Sequence, residues 1–486
     1  MKKILVIVIL MYSSLSWAQS YQDGALFSDF TQESTARSVG VGGAMGAVGA
    51  DFGALSINPA GVALYHNSEF SFTPNLRINS YESKYLNGAY SDNTTRFGIA
   101  SVGLVFASEH KERDWRYTTF AFGLNQMANF NQQFFISGYN TESSLTQYFA
   151  QEAGSTNSED LVDLGALGPE GAYQTYLINP NASNTYDAVI DGNVQQSEQD
   201  VVRGAARELT FAYGGSYKDK LYLGGSLNVP LLSRRVDTEY YETDDANVHD
   251  NFNNFNLLES VKTTGSGINL KIGLIYRLTE DLRFGASFDS PTWYGLTDEF
   301  YSSINSNVSV NNQFNTYSYD SPFGVFDYRF RTPYNFTGSL MYQYKDKGFI
   351  SADVSMVDYQ SMRYSADGDF GLYTQFFNEL NNSIQENLTA ATNVRIGGEI
   401  VLSPLYLRAG YAYYGSPYVD SNSQSARSII SGGLGFRTNT MYIDLAYATQ
   451  KYSHFYRPYT LVDELTQGAD IDTQIGNISL TLGFKL

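Results

Sequence analysis

Apolar and polar residues alternate along much of this chain, most cleanly at its C-terminus. Ile478, Leu480, Leu482, Phe484 and Leu486 fall on one side of an extended strand, and Asn477, Ser479, Thr481, Gly483 and Lys485 fall on the other. Ile268, Leu270, Ile272, Leu274, Tyr276 and Leu278 alternate in the same way with Asn269, Lys271, Gly273, Ile275 and Arg277. Strand side chains point to opposite faces in turn, so period two marks strands with one apolar and one wet face. Read this way, the chain predicts strands near 69–80, 95–108, 115–138, 206–218, 221–242, 255–279, 282–302, 326–345, 348–364, 390–403, 404–415, 427–438, 440–456 and 471–486. That is fourteen, an even number, as a closed antiparallel barrel with both termini on one side requires.

The connections sort by parity. Short polar turns follow the even-numbered strands, at His110 to Asp114, Asp219, Glu280, Asp346-Lys347, Ser403-Pro404 and Thr438 to Thr440. Long loops follow the odd-numbered ones, at 81–94, 139–205, 243–254, 303–325, 365–389, 416–426 and 457–470. Short turns at one rim and long loops at the other are the habit of outer-membrane barrels; a water-soluble β-sandwich, the alternative, has no reason to sort its loops. The fold class expected is all-β: a 14-stranded antiparallel transmembrane barrel. Phe, Leu, Ile and Tyr would face lipid, while Gly, Ser, Asn and charges such as Arg283, Asp289, Arg395, Glu399, Arg408 and Asp444 would face the lumen.

Composition agrees. Tyr (39), Phe (31) and Gly (43) are abundant, charged residues make up 17%, and yet the mean hydropathy is −0.27. A helical membrane protein would be far more apolar. The formal charge of −19 argues against nucleic acid, whose phosphates call for Lys and Arg. The absence of cysteine excludes disulfides and thiolate metal sites. Residues 1–18 read as a secretory signal: Lys2-Lys3, an apolar Ile4 to Met11, and Ser16-Trp17-Ala18 before Gln19. That apolar run is too short for a spanning anchor.

Residues 19–68 carry no spanning pattern, and 69–486 are assigned to the barrel. The segment from Ala36 to Asp51 is a run of small residues that includes Gly42, Gly43 and Gly46, followed by Asn58-Pro59-Ala60-Gly61. Such a stretch ahead of a barrel reads as a plug folded into the lumen, or as a periplasmic tail without fixed structure. A dinucleotide-binding reading fails, because Met45 stands where a glycine is needed.

These residues resemble the hatch signature of the long-chain fatty acid transporter family (FadL-like, including toluene and xylene uptake channels). Arg395-Ile396-Gly397-Gly398-Glu399, Leu407 to Tyr411 with Ser416-Pro417, and Ser351-Ala352-Asp353-Val354 with Asp358-Tyr359 resemble late strands of that family. The resemblance runs from about Ala36 to the C-terminus, loops excepted. It implies a fourteen-stranded barrel in the outer membrane with an N-terminal hatch formed around Gly42, Gly43, Gly46, Asp51, Asn58, Pro59, Ala60 and Gly61. It also implies passive uptake of hydrophobic small molecules, long-chain fatty acids or aromatic hydrocarbons, with release through a wall opening near a kinked strand.

Candidate ligand residues follow from periodicity. Phe376, Phe377, Leu380 and Ile384 share one face of a helical stretch in the loop at 365–389, and Leu145, Tyr148 and Phe149 do likewise in the long loop. They would form an outer apolar groove, or pack together to close the barrel top. Arg395 and Arg408 on inward positions would hold a ligand carboxylate, or brace the wall by ion pairing. Alternation in the third strand fails after Leu124, where the chain either leaves the bilayer or kinks, and Pro230 and Pro333 interrupt other strands. No enzyme motif occurs, the four histidines lack ligand spacing, and no cofactor is expected. Asp244-Asp245 and Asp367-x-Asp369 could take calcium but read better as solvated acidic loops, the alternative being that their charge binds the divalent ions that bridge lipopolysaccharide. The competing functions are an accessory barrel of a type IX secretion system, with a protein partner in place of a solute, and an outer-membrane phospholipase, which lacks a Ser-His pair at any recognisable spacing.

Overall fold

The computed structural model describes residues 19–29, 33–111, 113–164, 168–368, 373–420, 424–462 and 466–486; the expected signal peptide lies outside them, as does Asp369. Strands β1 (Glu69–Tyr85) and β2 (Gly88–Glu109) open the barrel. Strand β3 runs over Trp115–Asn129 and resumes as an outer arm at Gln132–Asn140. Then come β4 (Val194–Tyr217), β5 (Leu221–Thr243), β6 (Phe252–Arg277) and β7 (Leu282–Asp289, then Trp293–Val310). Strands β8 (Gly324–Arg331, then Asn335–Gln343), β9 (Gly348–Asp358, then Arg363–Ala366), β10 (Ala390–Leu402) and β11 (Leu405–Tyr414) continue it. β12 (Arg427–Arg437), β13 (Met441–Tyr456) and β14 (Ala469–Lys485) complete the fourteen.

Each strand pairs antiparallel with its sequence neighbour, and β14 closes on β1 from Glu69↔Lys485 to Tyr85↔Ala469. Closure is obligatory in hydrocarbon, where an open sheet edge would leave backbone groups unpaired. Around the circumference the outward positions are large and apolar, including Phe120, Phe211, Leu227, Ile272, Leu340, Val354, Ile400, Leu434 and Leu445. A band of that extent on a soluble surface would drive association, so its solvent is lipid. No helix among the described residues is long and apolar enough to cross a membrane; the strands cross instead.

Several expected loops are strand. The segment 81–94 is a hairpin with only Leu86 and Asn87 between β1 and β2, β4 begins at Val194 rather than near 206, and 303–325 holds the tip of β7 paired with Gln313–Asp320. The strands project beyond the bilayer, where outward residues need not be apolar. Alternation therefore fades while the backbone ladder continues. The rest of 139–205 folds into helices α3 (Leu145–Ala153) and α4 (Pro169–Gln174) over an apolar cluster with Phe252, Phe255 and Ile304. Pro333 lies at the break in β8, beside the break in β7 at Ser290 to Thr292. Thr332 N–H donates to Thr292 O (3.0 Å) and Thr292 N–H to Thr332 Oγ1 (2.8 Å), so the wall is creased there and stays closed. Pro230 sits inside β5, and the ladder to β6 skips from Asn228↔Asn269 to Leu231↔Ser266.

Candidate functional site

The lumen is filled by the residues ahead of β1. Helices α1 (Tyr21–Ser28) and α2 (Ala36–Gly40) and two 3-10 turns, Phe52–Ser56 and Pro59–Leu64, are joined by turns at Gly42 (φ 63°), Gly43 (φ 74°) and Gly49 (φ 65°). A left-handed backbone suits glycine, which has no Cβ to clash. The motif residues hold this plug together. Asp51 caps the first 3-10 turn by accepting from Gly53 N–H (2.9 Å) and takes the Thr35 hydroxyl proton at 2.5 Å. Asn58 caps the second by accepting from Ala60 N–H (3.0 Å), and its amide donates to Gly46 O (2.7 Å) and to Leu274 O of the wall (3.1 Å). Pro59 fits the first helical position, where no N–H is needed. Gly61 lets the Gly49 backbone approach.

The wall is cut to receive this plug. A Cβ at Gly103 would lie 2.4 Å from Phe52, at Gly214 2.6 Å from Val62, and at Gly224 2.4 Å from Pro59 O. At Gly273 it would meet Asn58 Oδ1 at 1.9 Å, at Gly285 Gly46 O at 2.5 Å, at Gly397 Val41 O at 2.0 Å and at Gly410 Gly42 N at 2.1 Å. Glycines on seven strands thus form a belt on which the plug backbone rests. Ions fix it further. Arg37 spans the Glu399 carboxylate with two contacts of 3.2 Å; Arg408 bonds Glu399 (2.6 Å) and Asp444 (2.7 Å), and Arg437 reaches Asp444 (3.2 Å). Burial alone would lower the Arg37 pKa, but Glu399 and Asp51 raise it above its usual value, so the plug keeps a fixed cation.

Beside the plug the wall is interrupted. The β2–β3 ladder ends at Ser101↔Asn125, yet β2 continues to Gly88 with β1 as its sole ladder partner. Strand β3 breaks at Phe130-Asn131, and its outer arm pairs only with β4. This arm leans across the inward face of β1: Asn79 Nδ2 donates to Asn131 O (2.9 Å) and Ser83 Oγ to Phe135 O (2.5 Å). The arm rejoins the β1–β2 turn only at its tip, where Tyr139 N–H donates to Asn87 (3.0 Å). From Ser101 to that tip β2 and the arm share no ladder hydrogen bonds and meet through side chains, Tyr90 against Phe135 at 4.9 Å; this gap in the ladder is the window, and the failure of alternation after Leu124 is a kink. Outward Ile99 and Phe97, the latter 74% exposed, keep β2 apolar past the point where β3 departs.

The plug backbone takes over where β2 leaves. Glu33 forms an isolated antiparallel bridge with Gln126, the first β3 residue without a β2 partner. Its buried carboxylate accepts from Gln126 Nε2 (2.6 Å) and Asn75 Nδ2 (3.3 Å) and pairs with Arg77. Above the plug a vestibule of about 1110 Å³ reaches this window: Ala128, Asn129, Phe130, Asn131 and Gln132 line it, with α1 on another side. Two ion pairs lie in its lining, Arg234 with Asp23 (3.1 Å) and Arg427 with Asp29.

The structure places the groove candidates apart. Phe149 is buried, and Tyr148 partly so, in the cap under α3; Phe377, Leu380 and Ile384 of helix α5 (Thr374–Asn387), with Phe376 alongside, pack against Ala25 and Phe27 of α1, Phe130, Tyr294 and Phe330. None of these candidates lines the vestibule. Arg408 is fully buried in the ion network, and Arg395 donates to Ser355 Oγ (2.9 Å) beside a separate polar cavity of about 90 Å³. Asp244 accepts from Val248 and His249 N–H, and Asp367 pairs with Arg329. Among the described residues no group of His, Asp and Glu could hold a metal ion. Sequence reading missed the vestibule because its lining comes from α1 and six or more strands; only the lapse of alternation after Leu124 pointed towards it.

These features define a class: a transmembrane β-barrel with its lumen occupied by an N-terminal plug and its hydrogen-bond ladder interrupted between the second and third strands. The chain is similar in structure to a Pseudomonas aeruginosa FadL homologue, with 12% sequence identity, a TM-score of 0.57, and coverage of 94% of this chain and 99% of that one. It is also similar to the P. putida toluene transporter TodX (14%, TM-score 0.51, 89% and 94% covered) and to the Ralstonia pickettii toluene transporter TbuX (15%, 0.51, 92% and 97%). At these identities the likeness is one of fold. No protein-family model matches the chain, and no curated protein does.

Proposed function

We propose that the protein is an outer-membrane channel for passive uptake of hydrophobic small molecules. The observation that carries this reading is the vestibule that opens onto a window in the wall. A solute entering from the loop side meets the plug below, seated on glycines and ion pairs, and the window beside it. An apolar molecule gains about 25 cal/mol for each Å² moved from water into lipid, so the sideways exit is downhill and needs no energy source. The toluene transporters and the FadL homologue of like fold support this assignment. A vestibule coupled to a window serves a solute better than it serves an accessory subunit of a secretion system, which would need a docking face.

The test staples the window. The chain has no cysteine, so Ala100→Cys with Gln126→Cys, the pair that would come next were the ladder to continue, introduces one bridge only. Uptake of labelled toluene by cells producing the barrel should fall at least tenfold when the pair is oxidised and return on reduction. Equal uptake in both states would overturn the lateral route.

A further inference from the structure

The vestibule carries chemistry that plain hydrocarbon does not need. Asp200 on β4 lines it, is only 7% exposed, and accepts from the Thr238 hydroxyl at 2.5 Å. Glu198, two residues earlier and also buried, accepts from the Tyr456 hydroxyl. Glu259 on β6 shares the row of Asp200, since Asp200 pairs with Thr238 and Thr238 with Glu259. Among the described residues none of these three carboxylates has an ion-pair partner within 4.0 Å. Of the four arginines that line the vestibule, Arg234 pairs with Asp23, Arg427 with Asp29 and Arg77 with Glu33, while Arg457 lies over the Phe455 ring at 4.6 Å and donates to Thr466 O.

Aromatic rings stand beside the acids. Phe134 pairs in register with Asp200, its ring meets Tyr456 edge-on at 5.3 Å and His454 at 6.3 Å, and Tyr452 stacks on His454 at 6.1 Å. All four rings line the vestibule. Burial raises the pKa of all three acids, that of Asp200 to about 6, so Asp200 still carries its charge at neutral pH with no cation beside it, and the faces of aromatic rings attract organic cations. A hydrated inorganic ion would gain nothing from the rings, and Asp200 and Glu198 already spend lone pairs on hydroxyl groups.

Resting on the uptake reading above, we propose that this vestibule selects solutes with a positive charge on an apolar, ring-bearing body and disfavours carboxylates. The cation would sit against Asp200, with Glu198 behind the lining on the same face of β4, and its apolar part among Phe134, Tyr452 and Tyr456. From there the outer arm of β3, which carries Phe134, leads to the window.

Three probes of one shape separate the possibilities: benzyltrimethylammonium, toluene and benzoate. Titration calorimetry on the full-length barrel in detergent should show benzyltrimethylammonium binding at least tenfold tighter than benzoate. Asp200→Asn, which keeps the shape and an acceptor for Thr238, should reduce that ratio to about threefold or less, and Glu198→Gln should act in the same direction. The comparison of probes on the unmodified protein needs no variant to fold. Benzoate binding as tightly as the cation, or a ratio unchanged in both variants, would overturn the proposal. Toluene uptake that still depends on the open window, with no charge preference, would sink this inference and leave the channel; loss of both would sink the channel as well.

Discussion

Asn58 is the residue through which the plug is most economically weakened. Its side chain is buried and makes three hydrogen bonds: to Ala60 N–H, to Gly46 O and to Leu274 O on the wall. Each is worth about 1 kcal/mol net, and groups left buried without partners raise the loss. One of these bonds crosses to the wall and two hold the plug's own turns, so for a plug that unfolds as it leaves the wall Asn58→Ala costs about 3 kcal/mol, which multiplies the released population by roughly a hundredfold at 1.4 kcal/mol per decade. Asn58→Ser keeps a capping oxygen and loses the two amide donations, about 2 kcal/mol, so it falls between, at about thirtyfold. The assay is single-channel recording in planar bilayers, where the fraction of time at high conductance reports the undocked plug. The expected order is Asn58→Ala above Asn58→Ser above the parent. Identical traces for all three, with folding checked by heat-modifiable gel mobility, would refute the assignment of Asn58 as the pin between plug and wall.

Three further outcomes follow from the same geometry. Gly273→Val or Gly410→Val, whose Cβ would fall 1.9 Å and 2.1 Å from plug atoms, should unseat the plug and raise conductance. Gly338→Val, with nothing within 4 Å, should leave it unchanged. Glu33→Cys with Gln126→Cys should cross-link the plug to the bare edge of β3 under oxidant, because the two residues already form a bridge, and should leave toluene uptake in place, because the lateral route does not require the plug to move. Arg408→Leu leaves Glu399 with Arg37 alone and Asp444 with Arg437 alone inside the barrel, and should lower the thermal transition in detergent.

Period-two alternation and the parity of the connections were enough to state fourteen strands, closure and sidedness, because a bilayer imposes an apolar residue on every outward position of every spanning strand. The same signal failed beyond the bilayer: Tyr81 to Tyr85 and Val194 to Ala205 are strand, yet nothing outside requires their outward faces to be apolar. The resemblance around Asn58-Pro59-Ala60-Gly61 drew attention to the residues that cap and pin the plug, and each has a local duty, a cap or a close approach, that leaves a mark in sequence. The break after Leu124 was visible as lost alternation, but nothing in the chain distinguished a strand leaving the membrane from a strand turning inward.

What only the tertiary structure decided is who meets whom inside the barrel. The belt of Gly273, Gly285, Gly397 and Gly410 is recognisable only once the plug lies against it. Arg395 and Arg408 look alike in sequence, and registry with β9, β11 and β13 gives them different surroundings. The vestibule joins Tyr21, Phe134, Asp200 and Tyr456, which are up to 435 residues apart, through strand neighbours and the inward lean of one arm. A strand's own sequence records which of its faces meets lipid, since that solvent is the same everywhere. It does not record which side chain stands across the lumen, because that depends on the stagger of all fourteen strands at once.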